Sequence, residues 1–340
     1  MKLLRILGWI LLLLVLVGVA ALLALDRWRP GMDAYAAHRY AAPVAAEDAL
    51  TATWFGVTAL LLSDGEHAIF IDPFFSRPRG LLNLALNRPI SPDETAIRKA
   101  LAQAGIGRLD AVLVSHSHYD HSMDAGLVAQ LTGAQLIGSE STANIGRGAG
   151  LPDERLTIPR SGEPLQLGSF TVRFVESRHA GATGGAPTGE ITAPLVPPAH
   201  YSDYRLGGTY SILVEHPQGR VLHHGSAGYL AGALAGYRAD LVFLGVALID
   251  ELPSYLREVV DAVGARRVVP THWDDFSRGV EEPLRPFPLI VRLDRFFEHL
   301  RRQRPDLQVQ TLQYGQRVAL FPPPPSPAGG QADAAGAEMR

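Results

Sequence analysis

Cysteine is absent from the 340 residues. That excludes a disulfide framework and a thiolate nucleophile, and it leaves histidine and carboxylate as the side chains able to hold a metal. Lysine is nearly absent as well: Lys2 and Lys99 are the only two, and arginine carries the remaining positive charge. Neither sign of charge is in excess. A net charge of −3 offers no electrostatic basis for nucleic-acid binding, so no nucleic-acid partner is expected. No unit recurs at a solenoid period. What remains is an ordinary globular composition, 47% hydrophobic and 19% charged, with enough apolar residues for one large domain or two small ones.

The N-terminal segment lacks charge altogether from Ile6 to Leu25. About 20 helical residues cover the ~30 Å hydrocarbon core of a bilayer, so residues 1–29 are expected to form a membrane anchor. A cleaved signal peptide is the alternative, but its apolar region is usually shorter and no small-x-small site ends this one. Lys2 and Arg5 on one side nearly balance Arg27 and Arg29 on the other, which encodes orientation weakly. The short N-terminal tail suits a single-pass inner-membrane protein with its domain outside the cytoplasm. Residues 30–48 are alanine-rich and read as a linker. After Phe321, Pro322 to Pro325 open a Ser/Pro/Ala/Gly tail that cannot bury a core and is expected to be disordered to Arg340. The domain then spans 49–321.

Within it, Thr58–Ser63 and Ala68–Asp72 flank the turn signal Asp64-Gly65, which predicts a hairpin. Ser91-Pro92-Asp93-Glu94 has the form of a capping box opening a helix to about Gln103, with Gly105 as its stop. Leu109–Ser115 predicts an apolar strand and Met123–Leu131 a helix ending near Gly133. Further strands are predicted at Phe170–Val175, Thr209–Val214, Val221–His224, Leu241–Leu244, Arg267–Val269 and Gln308–Gln313, and helices at Ser254–Val263 and Leu289–Arg302. The fold class is α/β: two sheets face to face with helices outside.

The chemistry concentrates in His116-Ser117-His118-Tyr119-Asp120-His121, at the C-terminal end of a predicted strand. Active sites of layered α/β folds commonly sit at such strand ends. Three imidazoles and a carboxylate in one turn suit a transition metal, zinc above all, with manganese or iron possible. A solvated histidine-rich turn is the alternative.

This stretch resembles the HxHxDH signature of the metallo-β-lactamase superfamily. Trp54-Phe55-Gly56 followed by Ile71-Asp72-Pro73-Phe74-Phe75 resembles the first motif of the same family. The overall pattern is most similar to the branch of N-acyl-phosphatidylethanolamine phospholipase D-like enzymes and ascorbate-phosphate lactonases. The resemblance implies an αββα sandwich in which Asp72 supports the ligands from behind. It implies that His179, in Arg178-His179-Ala180, completes a first metal site with His116 and His118. It implies that His272, in Pro270-Thr271-His272-Trp273, joins Asp120 and His121 at a second. One departure stands out. Where the family usually has an aspartate bridging two metals, this chain has Ser226, in His224-Gly225-Ser226-Ala227. One ion, or a weaker second ion, is therefore expected. His223 and His224, or Asp274 and Asp275, are nearby substitutes, although strand alternation lets only one of the histidine pair point inward.

The implied activity is hydrolysis of an ester, lactone or phosphodiester by a metal-activated water, with Asp120 as ligand and base. The substrate would be a small molecule or a lipid. The loop Gly181–Pro198 lies where it could line the pocket. The competing reading is a non-catalytic metal-binding or scaffolding protein with a decayed second site.

Overall fold

A computed structural model describes residues 2–28, 31–40, 48–78, 80, 83, 85–181 and 187–321. The tail 322–340, the middle of the expected linker (41–47) and part of the expected loop (182–186) lie outside the described residues.

Helix α1 (Lys2–Trp28) contains the uncharged run. Its segment Lys2–Ala21 has a mean hydropathy of 2.6 and is not buried in the protein, so it is long and apolar enough to cross a membrane or to serve as a signal sequence. The alanine-rich stretch after it is not a free linker throughout. Met32–His38 forms a 3₁₀ turn, and Tyr35 and Tyr40 are buried. The Tyr40 hydroxyl donates to the Ala319 carbonyl at 2.7 Å, and the His38 ring stacks 4.2 Å from Phe297. Alanine dominates the composition here, but two tyrosines and a histidine do the packing.

The first sheet contains β1 (Thr51–Trp54), β2 (Leu60–Ser63), β3 (Ala68–Ile71), β5 (Ala111–Leu113), β6 (Gln135–Ile137), β7 (Leu156–Thr157) and β16 (Arg317–Ala319). Their order is β16-β1-β2-β3-β5-β6-β7, with antiparallel pairing up to β3 and parallel pairing beyond it. The second sheet contains β8 (Pro164–Leu167), β9 (Phe170–Glu176), β11 (Tyr210–His216), β12 (Gly219–His224), β13 (Leu241–Gly245), β14 (Arg267–Thr271) and β15 (Gln308–Val309). Its order, β8-β9-β11-β12-β13-β14-β15, repeats the plan: antiparallel as far as β12, then parallel. A separate pair joins β4 (Pro89–Ile90) to β10 (Ala199–His200).

Alternation explains the layers. On β2, β3 and β5, Leu60, Leu62, Ile69, Ile71, Ala111 and Leu113 pack in the same cluster as Phe170, Val172, Phe174, Ile212 and Val214 of the facing sheet. The intervening Leu61, Phe70 and Val112 pack in a second cluster with helices α2 (Glu94–Gln103) and α4 (Ala125–Thr132). A strand with both faces buried reads as a nearly continuous apolar run. Each fully buried Leu, Ile, Val or Phe contributes about 1.5–3 kcal/mol, so the sheets need no further staple to stay together.

Some boundaries differ from the sequence reading. Helix α2 is capped by Asp93, whose carboxylate accepts from the Ala96 amide at 3.0 Å, and not by Ser91. The predicted helix 254–263 is α6 (Leu252–Leu256) continued by a π turn at Arg257–Asp261. The helix predicted from Leu289 begins later, as α7 (Leu293–Gln303), because Leu289 lies at φ 68°, outside the helical region.

Candidate metal centre

The residues singled out in the sequence gather at one rim of the sandwich, because that rim receives the ends of several strands. Asp72 follows β3, the histidine-rich turn follows β5, His179 follows β9, Ser226 follows β12 and His272 follows β14. Helix α3 (Tyr119–Ser122) begins inside the turn and aims Asp120 and His121 back toward His272.

Two groups of ligand-type atoms result. His116, His118 and His179 form one and Asp120, His121 and His272 the other, each with its atoms within 4.8 Å of one another. In the second group, Nε2 of His121 stands 3.2 Å from Nε2 of His272. Oδ2 of Asp120 stands 3.4 Å from His272 and 3.7 Å from His121. Ligands about 2.05 Å from a tetrahedral ion are spaced ~3.3 Å apart, so this donor set has the dimensions of a zinc shell. In the first group, Nε2 of His116 is buried and has no hydrogen-bond partner among the described residues, a costly state that a bound cation would relieve. The His118 ring bonds through Nε2 to the Pro187 carbonyl at 2.9 Å. That contact fixes the proton on Nε2 and leaves Nδ1 as the free ligand atom.

The electrostatics of the groups differ. Burial, reinforced by His121, pushes His116 well below the ordinary histidine value. Burial and neighbouring His118 bring His179 to about 4, and burial lowers His118 as well. All three are neutral imidazoles at pH 7. Burial opposes ionisation of Asp120, but His121 and His272 outweigh it and hold the carboxyl below its usual range. Burial also disfavours charge on His121, yet Asp120 and Asp72 overcome it and raise that ring.

Asp72 stands behind His121. Its Oδ2 lies 2.8 Å from His121 Nδ1 and accepts from the hydroxyls of Ser115 at 2.6 Å and Thr58 at 3.0 Å, while Oδ1 accepts from the Ser115 amide at 2.6 Å. A carboxylate in this position fixes the tautomer and orientation of the ring it supports. Gly225 permits the close approach of the β12 turn, since a Cβ there would come within 2.9 Å of Ser115 Oγ and 3.1 Å of Asp72 Oδ2.

Ser226 is otherwise engaged: its hydroxyl accepts from the Ala180 amide at 3.0 Å and so ties the β12 turn to the backbone beside His179. The substitutes considered for the missing carboxylate do not serve. His223 donates to the Thr58 carbonyl at 3.0 Å, and His224 bonds to Gly228 O at 2.7 Å and Ser211 Oγ at 2.8 Å. Asp275 accepts from the Ser277 hydroxyl at 2.6 Å. Asp274 has a different duty. Fully buried, it accepts from the Val57 amide at 2.7 Å and pairs with the buried Arg77 guanidinium at 2.5 Å. Val57, a β-branched residue at φ 48°, in turn accepts from the His272 amide at 2.6 Å, with His272 itself at φ 55°. Such conformations cost about 1–3 kcal/mol each and persist only when their surroundings over-determine them. The Arg77–Asp274 pair and Val57 are what hold His272 in place. Asp274 is marked in the sequence only by its place beside His272, and no local pattern marks Arg77 or Val57.

Both groups open on a cavity of about 920 Å³ lined by His118, Asp120, His179 and His272. Its lining also includes the apolar Leu248, Phe276, Phe287 and Ile290 and the polar Tyr201, Ser202 and Arg205.

The chain is similar to known proteins in sequence and in fold. Residues 67–273 match the profile of the β-lactamase superfamily domain. A metal-dependent hydrolase from Myxococcus xanthus is 26% identical over 242 residues, covering 69% of this chain and 75% of that protein. Another from Pyrobaculum islandicum is 24% identical over 237 residues, covering 68% and 87%. Among solved structures, a metallo hydrolase from the archaeon Ignicoccus hospitalis shares the fold with a TM-score of 0.51 at 18% identity, over 79% of this chain and 97% of that one.

Proposed function

The chain belongs to the β-lactamase superfamily, and on that premise we propose that it is a metal-dependent hydrolase that cleaves an ester, lactone or phosphodiester bond. The observation that carries this reading is the convergence of two three-residue donor groups on one wall of a cavity large enough for a small molecule. His116, His118 and His179 would hold one ion, and Asp120, His121 and His272 a second. Zinc suits the nitrogen and oxygen donors best, and manganese or iron would fit the same set. A dication in such a site lowers the pKa of water from 15.7 to about 7 and polarises the bond under attack. Asp120, which faces the cavity, would serve as ligand and would orient the attacking water as its base. Asp72 keeps the His121 ring aimed. The apolar helix α1 would anchor the domain to the inner membrane, facing outward, where a lipid or other small molecule is its substrate.

The six donors include one carboxylate, and Ser226 adds none, so the second ion should be held less tightly than the first. Elemental analysis after mild chelation should find nearer one retained ion than two. In parallel, 4-nitrophenyl esters, bis(4-nitrophenyl) phosphate and simple lactones should be hydrolysed by the loaded protein, with turnover lost on full chelation and restored by zinc. Two equally retained ions would overturn the unequal-site reading. A fully loaded protein inert toward every substrate would favour a binding or scaffolding role.

A further inference from the structure

Several of the cavity's polar side chains are engaged with one another or with the backbone; Arg205, the single arginine or lysine among its described lining residues, is not. Arg205 is exposed on the cavity wall, and among the described residues its guanidinium has no ion pair and no hydrogen bond. The cavity offers it no internal counter-charge. Asp120 is the single carboxylate among the described lining residues, and it is turned toward His121 and His272.

The backbone that carries Arg205 is clamped to the histidine-rich turn. The carbonyl of Leu206 accepts from the Ser117 amide, between His116 and His118, at 2.9 Å. The Leu206 amide donates at 3.0 Å to the Pro187 carbonyl, the same group that receives the His118 ring at 2.9 Å. The guanidinium therefore stands on a base whose position relative to the donor groups is fixed by hydrogen bonds. The same cavity is also lined by the apolar side chains Leu248, Phe276, Phe287 and Ile290.

We propose that Arg205 anchors an anionic group of the substrate, outside the bond that is broken, while an apolar portion packs on the cavity's apolar lining. The inference rests on the hydrolase reading and narrows its substrate class to amphipathic anions. A guanidinium meets a carboxylate or a phosphate through two parallel N–H···O bonds, which gives direction as well as attraction.

The test compares the metal-loaded wild type with Arg205→Ala and Arg205→Lys on two esters of matched length, 4-nitrophenyl hydrogen glutarate and 4-nitrophenyl pentanoate. In wild type the acidic ester should be preferred. In Arg205→Ala that preference should fall tenfold or more, through KM, and Arg205→Lys should keep part of it because the charge remains. A preference unchanged in Arg205→Ala would overturn the anchor. A second readout needs no turnover: calorimetric binding of 5-phenylpentanoate and of 5-phenylpentan-1-ol to the same proteins. Loss of affinity confined to the acid supports the anchor, and equal loss for both overturns it. If neither ester is cleaved but the binding difference stands, the hydrolase reading fails and the anion site survives. If both esters are cleaved without dependence on Arg205, the reverse holds.

Discussion

The sheet containing β3 and β5 supplies four of the six donor side chains from a single turn, whereas the sheet containing β9 and β14 supplies His179 and His272 from two turns of its own. Yet the two sheets share one plan, antiparallel pairing followed by parallel pairing, and meet at the same rim. The difference shows how the labour is divided. The first sheet builds a compact donor set and carries the support of His121 itself, through Asp72. The second contributes one histidine to each donor group, and each of those needs separate support: Ser226 holds the backbone beside His179, and Val57 and Asp274 hold His272. Each proposed ion would join the two sheets.

The comparison breaks most sharply at the donors. His116→Ala and His179→Ala remove one ligand each from the same proposed ion, one per sheet. Loss of a supporting residue behind a metal ligand costs about 10–100-fold, so loss of the ligand should exceed ~100-fold in kcat/KM for both variants. Steady-state rates at saturating zinc measure this, and a His179→Ala enzyme near wild-type activity would show that the second sheet is dispensable to that ion. Next in size is the support of His272. Asp274→Ala leaves the Arg77 side chain, 2% exposed, without its partner. Removing one member of a buried pair costs about 3–5 kcal/mol, and zinc retention should weaken with it. Denaturant unfolding with a parallel zinc titration measures both, and a stability loss below ~1 kcal/mol would remove the pair from the account.

The smallest effect is confined to the first sheet. Burial raises the Asp124 carboxyl to about 6, against the opposing amide bonds from Phe75 and Ser76. An acid whose folded-state pKa is raised is stabilising while protonated, so the wild type should lose stability as pH rises from 4 to 7. Two pKa units correspond to about 3 kcal/mol. Asp124→Asn lacks this titration. Melting curves of the two proteins should therefore shift in the variant's favour toward neutral pH, and parallel curves would refute the assignment.

How much of this was legible depended on sequence distance. The turn 116–121 announced itself because four donors sit together after an apolar strand. His179, His272 and Asp72 stand alone in the chain and were found through family resemblance. Asp274 stood out only as a possible substitute ligand, and its pairing with Arg77 and Val57 is not legible, because a buried pair linking positions so far apart leaves no periodicity to read. Within the expected linker 30–48, residues 31–40 dock on the domain, which composition hides because alanines outnumber the tyrosines that dock it. Alternation did separate His223 from His224. The two rings point to different partners, Thr58 and Gly228, and neither belongs to a donor group.

That docked segment sets the length of a leash. Helix α1 ends at Trp28, and the 3₁₀ turn that seats Tyr35 is capped by Gly31. Three Cα steps of about 3.8 Å allow at most ~11 Å between them. With α1 embedded in a bilayer, the domain could not drift from the surface or tumble freely above it. Its cavity would sample molecules arriving along the plane of the membrane at close range, and encounter would become a two-dimensional search.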